Sequence, residues 1–225
     1  MKKAKEFQNQ IQFDEYEEEP VVLGPYTSFM WRRDPKHLGF LFARYKFVSK
    51  LLAGKNKVLE VGCGDAIGTS LVAQAVGHVY CTDFESLLLE DNRKRLHHFK
   101  NISFSLLDIT NKPFNIRCNA AFSLDVIEHI PPADEHLYFD HICKSLTTDG
   151  ICIIGTPNVS AQQHASEASR LGHVNLKSYE DFQVFLKKYF VNGFLFSMND
   201  EIVHTGFYPM AHYLVGVGVG VKKRK

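Results

Sequence analysis

The stretch Val58–Thr69, VLEVGCGDAIGT, constrains this chain more than any other. It opens as an apolar strand (Val58, Leu59, Val61), breaks at Gly62 and Gly64, and turns helical after Gly68. A buried parallel strand feeding a glycine turn and then a helix is a nucleotide-binding device. The glycines let the backbone approach a ligand, and the helix N-terminus adds a favourable dipole. A dinucleotide fingerprint spaces its glycines as GxGxxG. Here they fall as GxGxxxG (Gly62, Gly64, Gly68), with Glu60 two residues before the first.

The flanking sequence alternates helical and strand patterns. A helix is expected from about Pro35 to Ala53, where Leu38, Phe42, Tyr45, Val48 and Leu52 recur every three or four residues. After the glycines a helix runs to about Val76, and the strand HVYCTDF carries Asp83 at its carboxyl end. A charged helix (Glu85–His98) leads to a strand at Ile102–Leu107 that ends in Asp108. Strands follow at NAAFSLD and Ile151–Gly155, then a helix at Tyr179–Phe190 and two strand-like segments, Val191–Met198 and His212–Val221. Carboxylates at successive strand ends suit an open α/β sheet, which binds ligands at the carboxyl ends of its strands. In the last strand Gly216, Gly218 and Gly220 share one face, which lets a helix or loop pack close.

The GxGxxxG turn with its preceding Glu60 resembles motif I of the class I S-adenosylmethionine-dependent methyltransferases. The segment LDVIEHIPP, Leu124 to Pro132, resembles motif IV of small-molecule O-methyltransferases of ubiquinone biosynthesis (UbiG-like), and Thr156-Pro157-Asn158 is a recurrent strand ending there. The resemblance implies a Rossmann-like, doubly wound α/β sheet with helices on both faces. Seven mostly parallel strands would include an antiparallel C-terminal strand. Residues 1–34 would form an N-terminal arm and lid segment, and 35–225 the methyltransferase domain. The implied cofactor is S-adenosylmethionine. Its implied contacts are Arg44 at the methionine carboxylate, Glu60, Gly62, Cys63 and Gly64 in motif I, and Asp83 with Phe84 at the ribose. Leu107 and Asp108 would meet the adenine, and Leu124 would be a further cofactor contact.

Methyl transfer from a sulfonium is an in-line displacement, so the protein must align nucleophile, methyl carbon and sulfur. A hydroxyl nucleophile must also lose a proton, which calls for a base or a metal. Asp125, Glu128 and His129 share one face if residues 125–129 form a helical turn, and they are a candidate divalent-metal set. The resemblance extends to small-RNA 2′-O-methyltransferases, which place metal ligands on a similar E-x-x-E-H turn. His173 is a candidate further ligand or catalytic group. Without a metal, His129 is the candidate base, with Glu128 orienting the turn or the substrate.

Composition narrows the partners. The chain of 225 residues has a formal net charge of +1, so it lacks the overall basic field that drives nucleic-acid binding. Lys222–Lys225 is read as a short solvated tail, and residues 1 to about 20 as an acidic, loosely packed arm. Cys63, Cys81, Cys118, Cys143 and Cys152 form no CxxC pair and read as reduced residues of a cytoplasmic protein. The N-terminus lacks the apolar core of a signal peptide, and Tyr213–Val221 is too short to span a bilayer. The expected activity is methylation of a hydroxyl on a small molecule, with a sugar or glycan precursor preferred. Alternatives are a quinone precursor or another phenol, an RNA 2′-hydroxyl, and cofactor binding without catalysis. The expected state is a monomer or homodimer.

Overall fold

In a computed structural model that describes residues 4–223, the chain winds on either side of the strand that carries the glycine turn. That strand, β1 (Lys57–Val61), pairs in parallel with β2 (His78–Asp83) on one side and β4 (Cys118–Leu124) on the other. Beyond β2 lies β3 (Ile102–Leu106), and beyond β4 lies β5 (Leu146–Pro157), both parallel. The C-terminal strand β8 (Tyr213–Val221) runs antiparallel between β5 and β6 (Phe190–Asn199). Among the described residues eight strands form one sheet in the order β3-β2-β1-β4-β5-β8-β6-β7, where β7 is Ile202–His204.

The eighth strand is the departure from the expected seven. It is β7 (Ile202–His204), a three-residue edge strand paired antiparallel with β6. The two residues between them, Asp200 and Glu201, make a tight hairpin, with Asp200 at φ +49°. Its brevity hid it within a polar stretch, where period-two alternation cannot be counted.

Helices cover both faces. On one face α3 (Lys36–Leu51), α4 (Thr69–Ala73) and α5 (Ser86–Arg95) bury Tyr45, Val48, Val72 and Leu89 against Val58, Cys81 and Phe122. On the other, α6 (Glu135–Lys144) and α8 (Tyr179–Tyr189) bury Tyr138, Phe139, Phe182 and Leu186 against Leu59, Val61 and Cys152. The glycine face of β8 serves this second packing. A Cβ at Gly216 would lie 2.9 Å from Phe182 Cζ and 3.0 Å from Leu186 Cδ1. All five cysteines are free, four of them buried. No described helix is long and apolar enough to cross a membrane.

The N-terminal arm contains a helix, α1 (Phe7–Glu18), that buries no residue. Its apolar residues follow no stripe, so periodicity gives no signal for it. A second helix, α2 (Pro25–Arg33), lies over the glycine turn: Thr27 N donates to Asp65 Oδ2 at 2.7 Å, and Tyr26 lies against Gly64. Phe42, expected in the core stripe of α3, is exposed instead. Arg224 and Lys225 of the basic tail lie outside the described residues.

Candidate active site

The sheet order reverses between β1 and β4, and the crevice at such a switch point is where α/β folds bind ligands. Gly62 adopts φ +73° and Gly64 φ +53°, values that suit glycine. The amides of Gly62 and Cys63 both donate to Thr82 O, at 2.8 and 3.0 Å, which ties the turn to the end of β2. A Cβ at Gly62 would lie 2.3 Å from Val126 Cγ2, so the glycine admits the segment that follows β4.

Two adjoining clefts open there, sharing Tyr26, Gly62, Gly64, Asp125 and His129. One, of about 460 Å³, is bounded by Asp83, Phe84, Leu107 and Asp108 and suits a nucleoside. Asp83 Oδ2 accepts from Gly64 N and Oδ1 from Glu85 N, both at 2.9 Å. Phe84 is 76% exposed, an open apolar platform, and Leu107 is buried. Asp108 Oδ1 accepts from Thr110 N and Oγ1, and Oδ2 from Asn111 Nδ2, so its carboxylate caps its own loop. The other cleft, of about 320 Å³, is lined by Cys63, Leu124, Arg44, Glu128 and His173.

Glu60 does not line either cleft. Its buried carboxylate accepts from Tyr45 Oη at 2.9 Å, Thr69 Oγ1 at 2.7 Å and Cys81 Sγ at 3.4 Å. Burial raises its pKa to about 7, against the opposing pull of those hydrogen bonds. Glu60 therefore fastens α3 and α4 to the sheet beneath the cleft, in place of the expected cofactor contact.

The turn after β4 also differs from expectation. Residues Ile127–His129 form a 3-10 turn, and Asp125 precedes it at φ +57°. This backbone turns the Asp125 carboxylate toward α3. Arg44 Nη1 donates to both Asp125 oxygens, at 2.9 and 2.8 Å, while its guanidinium lies 3.7 Å from the centroid of the Tyr213 ring. The metal-capable group at this cleft is accordingly Glu128, His129 and His173, whose ligand atoms all lie within 4.8 Å of one another. Asp125 is not part of it.

The three donors are held from behind. His129 Nδ1 lies 3.0 Å from Gly172 O, which assigns its proton to Nδ1 and leaves Nε2 free. Glu128 Oε2 accepts from Thr156 Oγ1 at 3.1 Å, and Glu128 O accepts from the amides of Val174 and Asn175. His173 enters from the loop after α7 (Glu167–Gly172), its ring 5.1 Å from that of His129. Its Nδ1 is buried with no hydrogen-bond partner among the described residues. Burial and then Asp125 raise the Glu128 pKa to about 8; burial and then His129 lower that of His173. Two imidazoles and a carboxylate are a donor set for zinc or another first-row cation. The bare Nδ1 and the buried Glu128 carboxylate are atoms that a cation would satisfy, so the residues present fit one.

Several participants carried no signal in the sequence. Tyr213 and Thr156 act through contacts 169 and 28 residues away, with Arg44 and Glu128. Glu135, Asn175 and Lys177 form a polar knot that pins the His173 loop: Asn175 Nδ2 donates to Glu135 at 2.8 Å, and Lys177 Nζ pairs with the same carboxylate.

Comparisons with known proteins agree with this geometry. A family model described as a methyltransferase domain matches residues 58–150. Probable S-adenosylmethionine-dependent methyltransferases from two Mycobacterium tuberculosis strains, CDC 1551 / Oshkosh and H37Rv, are each 24% identical over 122 residues. That match covers 53% of this chain and 43% of each relative, so the chain spans less than half the length of the curated relatives it matches. The methyltransferase domain of bacterial CtHen1 superposes with TM-score 0.66 at 19% identity, over 80% of this chain and 99% of that one. The N-methyltransferase NodS of Bradyrhizobium japonicum WM9, bound to S-adenosylhomocysteine, gives TM-score 0.63 at 15% identity, over 92% and 97%. Residues 58–150 thus match a methyltransferase domain, and the chain has the Rossmann-like fold of methyltransferases that bind S-adenosylhomocysteine.

Proposed function

We propose that the protein transfers the methyl group of S-adenosylmethionine to a hydroxyl of a small molecule, with a sugar or glycan precursor as the preferred acceptor. The observation that carries this reading is the Glu128–His129–His173 group, placed on the cleft wall beyond the glycine turn. A hydroxyl needs help in losing its proton, and this group sits where such help is useful. The modest cleft volume and the near-neutral chain support a small acceptor over RNA. The segments TSFMWRR (27–33) and HTGFYPMAHY (204–213) are not part of the ubiquinone-type pattern, so a quinone precursor ranks below a sugar.

The cofactor supplies a sulfonium methyl, which is electrophilic without further activation. Gly62 and Gly64 would admit it close to the backbone, Asp83 would accept from its ribose hydroxyls, and the buried, unpartnered Nε of Arg44 would donate to its carboxylate. Glu128, His129 and His173 would hold a divalent cation, which supplies Lewis acidity to the acceptor hydroxyl. Gly172 O fixes the His129 ring, and Thr156 fixes the Glu128 carboxylate. A second, metal-free reading rests on the free Nε2 of His129, a proton acceptor suited to neutral pH.

Methyl transfer to a panel of sugars, phenols and short RNAs, with and without chelator, tests both readings. Transfer to a sugar hydroxyl that chelator abolishes and magnesium or manganese restores is the expected result. Chelator-insensitive turnover would favour His129 as base, and transfer confined to RNA would overturn the small-molecule acceptor.

A further inference from the structure

We propose that Glu19, His97 and His98 form a second metal site, which takes zinc or a similar first-row dication and fastens the N-terminal arm to the end of α5. The site is separate from the Glu128 group and does not depend on whether that group holds a cation.

The three residues come from two segments. Glu19 is the C-cap of α1, and His97 and His98 follow the last turn of α5. Their ligand atoms all lie within 4.8 Å of one another, and all three residues are exposed. A helix end leaves carbonyls without intrahelical partners, and a nearby histidine can serve one of them. His97 does so, with Nδ1 3.0 Å from Lys94 O. A carbonyl only accepts, so the ring carries a proton on Nδ1. Nε2 then faces Glu19 Oε1 at 3.3 Å. In a neutral ring that nitrogen sets a lone pair against a carboxylate. A proton or a metal ion between the two makes the contact favourable.

His98 points to the metal. A proton is satisfied by two partners, whereas here a third donor stands beside them. The His98 ring lies 5.9 Å from that of His97 at 86°, and it packs on Phe99 at 4.3 Å. A tetrahedral zinc ion with bonds of about 2.0–2.1 Å holds its donors about 3.3 Å apart, which is the His97–Glu19 spacing. Rotation of the exposed His98 side chain closes the remaining gap. Two imidazoles and a carboxylate favour zinc and its neighbours over magnesium, which prefers oxygen ligands. Solvent supplies the fourth ligand.

The surroundings suit a cation at this point. The C-terminus of α5 carries the negative end of the helix dipole. Lys94 and Arg95 border the same cleft and oppose a dication, but Asp91 Oδ2 accepts from Arg95 Nε at 2.5 Å and offsets that charge. The cleft, of about 570 Å³, has apolar walls at Val21, Val22, Ile67, Leu96 and Phe99. Because α1 buries no residue, its own packing gives the arm little hold on the domain. Arg95 Nη2 also donates to Asp65 O at 2.8 Å, and Asp65 Oδ2 accepts from Thr27 N at the start of α2. The end of α5 thus anchors the helix over the glycine turn, and a cation on Glu19 would tie the arm to that same anchor.

Zinc titration of the full chain, read by calorimetry and by amide hydrogen exchange, tests the proposal. His97→Gln and His98→Gln should each abolish one zinc equivalent, and His173→Ala should leave that equivalent bound. Glu19→Gln should weaken it by about tenfold or more. Zinc should slow exchange at Val21, Val22 and Leu23 in the wild type and not in these three variants, and magnesium should not replace it. The three positions are exposed, so the variants should unfold in chelator at the wild-type temperature. Zinc binding that survives both histidine substitutions would overturn the proposal, as would exchange at residues 21–23 that ignores zinc. Unchanged zinc affinity in Glu19→Gln would leave a surface histidine pair alone and overturn the tie to the arm.

Discussion

Tyr45 lies directly over Gly68: a Cβ at Gly68 would sit 2.2 Å from Tyr45 Cδ2. The third glycine of the GxGxxxG turn is thus a seat for an aromatic ring from α3, whose hydroxyl reaches down to Glu60 at 2.9 Å. One contact joins the helix before the glycine turn to the helix after it.

Gly68→Ala should therefore overpack this seat and lower stability by about 1–3 kcal/mol. Thermal unfolding checks it. Adding Tyr45→Phe should not rescue the loss, because the clash is with the ring, whereas Tyr45→Leu should recover part of it.

Glu60 makes stability depend on pH. Its folded carboxyl holds a proton up to about pH 7, against an ordinary 4.5. Between those values the folded state binds more protons than the unfolded state, so stability falls as pH rises through the window. Glu60→Gln should flatten that slope, by up to about 1.4 kcal/mol per pH unit. Denaturant unfolding at pH 5, 6, 7 and 8 reads it. Glu128, raised to about 8, acts with the same sign and leaves a residual slope.

His173→Ala and Glu128→Gln should each reduce turnover at least a hundredfold while S-adenosylhomocysteine affinity stays within about threefold. Affinity that collapses with turnover would assign these residues to the cofactor. If a cation is held, the same variants should lose about 10–100-fold or more in metal affinity by titration.

Lys177→Met removes the cation from the partly buried Glu135 and should loosen the loop that carries His173. Amide hydrogen exchange should rise at Val174 and Asn175, which donate to Glu128 O, more than in the central strands. The expected loss in global stability is about 1–3 kcal/mol.

What could be read in the sequence was what local spacing determines. Motif I, the main strands and Asp83 and Asp108 at strand ends follow from apolar runs and glycine punctuation, and each stands where expected. What could not be read were pairings across long separations. On an α-helical turn Asp125 would stand beside Glu128 on one face. Its positive φ and its partner Arg44, 81 residues earlier, redirect it. Glu60 looked like a cofactor contact through its place before Gly62. Strand alternation puts it on the face of Val58, beneath Tyr45, so the protein interior claims its carboxylate. His173 lies beside Glu128 and His129, but Glu135, Asn175 and Lys177, which hold its loop, are ordinary polar residues until the chain folds.

The most direct test of the central claim is calorimetric titration of the purified chain with S-adenosylmethionine, S-adenosylhomocysteine and NAD. The account predicts one site that binds both sulfur nucleotides and leaves NAD unbound. Binding of NAD in their place, or of none of the three, would contradict it.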